Sequence, residues 1–461
     1  MTIDNKNIGR LFILLAICSL LLGLLFGVIG GMQYILPPFL KDQLAFQKTR
    51  PLHVYLIINW IFSTSVGCIY YFLPAVTGRK LYSAAIAMAH FTLQVIILLI
   101  VVTGFLAGRF SGREYLEFPS WVSLLILFNW TLLMINFFAS VPFKFNNAPA
   151  YVWMWATGIL FYFITMLEAQ LWLLPYFNNN IVRDLTIQWK ALGSMVGAWN
   201  MLIYGTSMYV METITKDKTV GRSKTAYFFY FLSLTNMMFN WGHHTYIVPS
   251  SPLVKEISYA ISMTELLFIG RIIYSWRKSY IAAKLNYHYL PFRILSTGDL
   301  WVLLNLILSI AISVPTINRY THGTHITVAH AMGATIGINT MLLLGSLFFM
   351  VDQIAPKILK KLKNYFSFSI RLLNISLMIF WMSLLISGLI KSIDIQRKDA
   401  FAVMMQNLQP YFKIFTFSGI LVMLGLFLIL VPLLKVFSTE ISSRKNVLNN
   451  VSKLVQQVEP N

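Results

Sequence analysis

Asn240-Trp241-Gly242-His243-His244-Thr245-Tyr246 lies near the end of a long apolar run, Tyr227 to Val248. Ionisable side chains inside an apolar span are costly and usually mark a functional site. One explanation for two adjacent imidazoles is structural, an interfacial pair bonded to water or backbone. The other is that they are ligands. A second stretch bears on the choice. Tyr320-Thr321-His322-Gly323-Thr324-His325-Ile326-Thr327-Val328-Ala329-His330 opens another apolar run at what should be the same depth. Together they raise the question of a metal held between helices.

The rest of the chain reads as a polytopic membrane protein. Of 461 residues, 57% are hydrophobic and 11% charged, with a mean hydropathy of +0.68. A soluble domain carries about 25% charged residues. Aromatics, at 15%, suit interfacial belts. The net charge of +20 falls in short loops between apolar runs, which is the pattern of topology signals and argues against nucleic acid as a partner. Cys18 and Cys68 lie inside apolar runs and read as packing residues. The first run, Leu11 to Ile35, is too long for a signal-peptide core and lacks an obvious cleavage site.

Twelve membrane helices are predicted, at roughly 11–35, 54–76, 83–107, 119–141, 151–175, 188–212, 225–249, 253–276, 298–316, 325–350, 368–391 and 411–435. The fold class is thus an all-α membrane protein, a twelve-helix bundle over 1–437 with a polar tail, 438–461, expected to be a frayed helix. Twelve crossings put both termini on one side. That side carries 22 of the 36 Lys and Arg, including those in Thr215–Lys224, Trp276–Arg293 and Lys357–Arg371. The other side carries 12, and Lys190 and Arg271 lie within helices. The positive-inside rule therefore places both termini in the cytoplasm. His53, His243, His244 and His330 then share one level in the outer third of the bilayer. His90 is expected to be packed or water-bonded, and His288 solvated in a cytoplasmic loop.

Four motifs resemble the haem–copper oxidase superfamily, and within it the large subunit of nitric oxide reductase. They are Arg50-Pro51-Leu52-His53, Gly112-Arg113-Glu114-Tyr115-Leu116-Glu117, Gly242-His243-His244-Thr245-Tyr246, and Ile317-Asn318-Arg319-Tyr320-Thr321-His322-Gly323-Thr324-His325 followed by Ala329-His330. Their order and spacing extend the resemblance over essentially the whole chain. It implies a low-spin haem b, a high-spin haem b and a non-haem iron, in a bacterial inner membrane with roles in respiration and denitrification. By motif, His53 would ligate the low-spin haem and His330 the high-spin haem. His243 and His244 would ligate the second metal. Glu114 and Glu117 would lie near the haem propionates, where the family binds calcium, a cation suited to carboxylate oxygens.

The sequence departs from this pattern at two helices. The family places His-x-His on the tenth helix, one histidine per haem; here the pair reads His330-Ala331-Met332. Met332 either ligates the low-spin haem, as methionine does in some cytochromes, or fills a pocket beside a five-coordinate iron. The sixth helix ends Gly197-Ala198-Trp199-Asn200. Counting back in fours from Asn200, the family's ligand histidine becomes Leu192, its neighbouring glutamate Val196 and its second glutamate Asn200. A four-residue step keeps all three on one face. Non-haem ferrous sites generally add a carboxylate to their histidines, so an ordinary three-histidine iron is not expected.

Three functions are compatible with these readings. One is reduction of NO to N2O, with electrons from a haem c small subunit or a soluble cytochrome c, since the chain has no Cys-x-x-Cys-His. Another is a non-catalytic haem protein in electron transfer, sensing of a diatomic gas or assembly. The last is a haem-free paralogue, against which the retained histidines argue. Proton pumping is not expected, because the apolar runs hold no chain of acids.

Overall fold

The apolar runs fold as helices, in the order α1 (Asn5–Met32), α2 (Phe46–Thr77), α3 (Ala84–Leu106), α4 (Ser120–Ser140), α5 (Ala150–Glu168) and α6 (Ile181–Thr215). There follow α7 (Lys224–Phe239), α8 (Pro252–Met263), α9 (Leu290–Ser313), α10 (His325–Ile354), α11 (Lys363–Arg397) and α12 (Phe401–Val458). This computed structural model describes residues 5–141, 147–267 and 289–458, with side chains from Lys6 through Ile441. Arg271, His288 and most of the Trp276–Arg293 loop lie outside the described residues, as does the second half of the predicted eighth helix. Among the described residues, nine helices are long and apolar enough to cross a membrane: α1–α5 and α9–α12.

Local chemistry explains where the boundaries fall. α6 starts at Asn180, whose side chain accepts from Val182 N (3.0 Å) and Arg183 N (3.1 Å), well before the predicted 188. α9 opens with Pro291 in its first turn and runs for 24 residues, longer than the predicted 298–316. The largest correction concerns the predicted seventh helix, 225–249. α7 stops at Phe239, and Asn240–Thr245 forms a 3-10 turn, so the histidine pair does not sit on an α-helix. The cause is Asn240. Its carbonyl accepts from Ser258 (3.0 Å), its side-chain oxygen accepts from Ser262, and its amide donates to Glu265 (3.0 Å). These bonds tie the chain to α8 and its C-terminal end. α10 changes to a π-helix over Gly333–Thr340, directly after Met332, a feature frequent at functional sites.

Buried amides brace the first four helices. Asn59 donates to Ser19 (2.8 Å), Gln94 to Asn59 (2.7 Å) and Asn129 to Gln94 (2.7 Å), linking α2 to α1, α3 to α2 and α4 to α3. At about 0.6 kcal/mol for each interhelical bond, the ladder contributes about 2 kcal/mol. His90 is the packed side chain expected. It is 1% exposed, 3.0 Å from the Tyr70 hydroxyl, and its ring meets Phe12.

Candidate functional site

The 3-10 turn presents two imidazoles whose ring centroids lie 4.3 Å apart. They are held differently. His243 Nδ1 is 3.2 Å from Asn240 Oδ1. The Asn240 amide already donates to Glu265, so its oxygen faces His243 and Nδ1 carries the proton. The Nε2 lone pair is thereby left for a ligand, the usual arrangement of a metal-binding histidine. His244 has no such orienting bond, since its buried Nδ1 finds no partner among the described residues. Its ring instead stacks on Trp189 of α6, with centroids 4.4 Å apart and planes 7° from parallel.

Trp189 identifies the face of α6 that meets the turn. At roughly 100° per residue, Trp189, Leu192, Val196 and Asn200 fall within about 80° of one another. Gly193 flanks this stripe. A Cβ there would lie 2.5 Å from Trp241 Cβ, so α6 and the turn approach too closely for a side chain. Leu192 is half-buried, Val196 is 36% exposed, and the buried Oδ1 of Asn200 has no partner among the described residues. Lys190 points away from the turn and pairs with Glu168 at the end of α5. Among the described residues, no three of His, Cys, Asp or Glu are placed to hold a metal ion.

From the other side come His322, just before α10, and His330, within it. His322 lies with its ring edge towards His244 (6.0 Å) and Trp189 (6.2 Å). His330 is close enough to both histidines of the turn for its charge to be felt there. His322 Nε2 and His330 Nδ1 are buried and without partners among the described residues. Met332 packs half-buried against the core.

His53 stands apart, against α1. Its Nδ1 donates to the Gly23 carbonyl (2.7 Å), which fixes the tautomer and leaves Nε2 as a ligand. Gly27 makes room for this ring, because a Cβ there would lie 2.6 Å from His53 Nδ1. Just before His53, Arg50 spans the two candidate calcium residues, donating to Glu114 (2.7 Å) and Glu117 (2.8 Å). A cation binding these carboxylates would share them with the guanidinium. Arg113 of the same loop pairs with Asp184 of α6, so the loop straps α2 to α6.

Four contributors to the site leave little or no mark in the sequence pattern. Asn240 and Trp189 act through tertiary contacts that have no periodic trace. His322 falls within a motif that implies no role for it. Glu265 was detectable, as an acid in an apolar run.

The chain matches the family model described as cytochrome c and quinol oxidase polypeptide I over residues 7–421. The B chain of a nitric oxide reductase from Stutzerimonas stutzeri is 21% identical over 373 residues, which are 76% of each chain. A solved heme-copper terminal oxidase dimer shares the fold, with a TM-score of 0.73 and 14% identity over 95% of this chain and 84% of that one. Together with the apolar helices, these matches show that the chain is a multi-pass membrane protein belonging to the family of haem–copper oxidase subunit I.

Proposed function

We propose that this chain is a haem-binding redox subunit of nitric oxide reductase type that binds NO or another diatomic gas without the family's ordinary non-haem iron. The observation carrying this is the α6 face. Leu192, Val196 and Asn200 stand where a histidine and two carboxylates would be needed, and Trp189 covers His244. The residues do not fit a three-histidine iron. They do fit haem at two places: His53, with Nδ1 tied to Gly23 and Gly27 opening space, and His330, with an unpaired buried ring nitrogen among the described residues. Haem would supply iron that binds a gas and exchanges electrons. The chain's own residues would hold that iron through His53 and His330, and Leu192 and Val196 would keep water from the gas. Met332 is the candidate second ligand for the haem on His53.

Catalytic reduction of NO to N2O is the second reading. The similarity to the Stutzerimonas nitric oxide reductase favours it, as does the Glu265–Asn240–His243 chain, which orients one histidine as a metal site would. The measurement that separates the two is haem, iron and calcium per chain, with N2O production assayed on the same sample. The first reading expects haem without non-haem iron and without N2O. About one non-haem iron per chain with sustained N2O would establish the second. Calcium and a co-purifying haem c protein would belong with the strap at Glu114 and Glu117.

We also propose twelve crossings, the nine long apolar helices together with α6, α7 and α8. Both termini would be cytoplasmic and the histidines near the outer face of a bacterial inner membrane. Reporter fusions in the Thr215–Lys224 loop should read cytoplasmic, and an external signal there would reverse the topology.

A further inference from the structure

The geometry points to Trp189 as a positioning residue that fixes His244 where the family would use a metal, so that an aromatic clamp takes over the metal's cross-link. This rests on the reading that α6 supplies no metal ligand. A metal in such a site joins three elements: α6, the histidine turn and the segment leading into α10. The rings of Trp189, His244 and His322 join the same three. Trp189 lies parallel on His244 (4.4 Å, 7°), and His322 meets both, at 69° to His244 and 75° to Trp189. His243 needs no clamp, because Asn240 holds its Nδ1. His244 does need one: its Nδ1 is buried and without a partner among the described residues. Without the stack, that ring could rotate about both side-chain torsions in an apolar pocket.

Trp189 occupies the same α6 stripe as Leu192 and Val196, one turn before the missing histidine. The replacement is therefore local. Where the family's helix reaches the turn with an imidazole through a metal, this helix reaches it directly with an indole. The close approach at Gly193 sets the spacing that lets the indole touch.

The test uses the full chain, purified with its haem, as wild type with and without a strong chelator, and as Trp189→Phe and Trp189→Leu. Two quantities are read: Tm, and the C–O stretching band of the ferrous carbonyl haem, which reports the polar groups facing the bound gas. Chelator should move neither in the wild type. Trp189→Phe keeps a ring on His244 and should keep a single band. Trp189→Leu keeps bulk without a ring, and should lower Tm by about 2 °C or more and split or broaden the band as His244 takes several orientations. A Trp189→Leu protein matching Trp189→Phe in both quantities would overturn the clamp. So would chelator lowering the wild-type Tm, an arm that decides even if Trp189→Leu does not accumulate. A wild type that retains non-haem iron defeats the iron-free reading itself, and the metal assay on the same sample shows that separately.

Discussion

His53→Ala and His330→Ala should each lower haem content from about two per chain to about one, and they should remove different haems. The His330 variant is expected to lose the haem that binds carbon monoxide. The His53 variant should keep it and lose the low-spin spectrum instead. The expectation for His53 follows from its setting. With Nδ1 held on the Gly23 carbonyl at 2.7 Å, the ring can offer only Nε2, and α1 fixes its direction. Gly27→Val should then act as a weaker copy of His53→Ala, since a Cβ at 2.6 Å forces the ring aside without deleting it. The measurement is a pyridine haemochrome assay with reduced-minus-oxidised and carbon monoxide difference spectra. A His53→Ala protein that retains both haems would remove α2 from the haem site. Replacing Met332 by leucine should alter the low-spin spectrum only if its thioether is the sixth ligand; an unchanged spectrum would assign Met332 to packing.

Most of the helical framework was legible because apolar length is a local property. The boundaries of α3 and α4 lie within a residue of the predicted 83–107 and 119–141. The failure at α7 is equally instructive. Nothing in Tyr227 to Val248 forbids a continuous helix, and the break exists because Asn240 bonds to Ser258, Ser262 and Glu265, up to 25 residues away. At the site, the histidines stood out because ionisable groups are rare in apolar runs. The loss on α6 was also visible, as three unsuitable residues at four-residue spacing. Trp189 was not, because a tryptophan in an apolar helix is ordinary until its neighbour is known. The Arg50 bridge to Glu114 and Glu117 joins residues 64 and 67 positions apart, which no local pattern could have paired.

The other large effect should come from rebuilding the α6 face. Leu192→His with Val196→Glu is expected to raise tightly held iron from near zero to about one per chain after exposure to ferrous iron, since two histidines then gain a third and a carboxylate. Both positions lie on the stripe that Trp189 shows to meet the histidine turn. Val196 is 36% exposed, so a glutamate has room there. The two substitutions should not behave additively. Glutamate alone places a partly desolvated carboxylate beside imidazoles with no cation to balance it, and should cost about 1 kcal/mol. Histidine alone adds a neutral ring with little to bind. Only the pair with iron present should recover wild-type Tm, because the metal then neutralises the carboxylate it needs. His244 must also turn from Trp189 towards the iron, so adding Trp189→Leu to the pair should speed or deepen iron uptake. A double variant that keeps its haem, folds to the wild-type Tm and still retains no more iron than the wild type would mean that Leu192 and Val196 do not face His243 and His244. The alignment of α6, and the absence of iron inferred from it, would fall together.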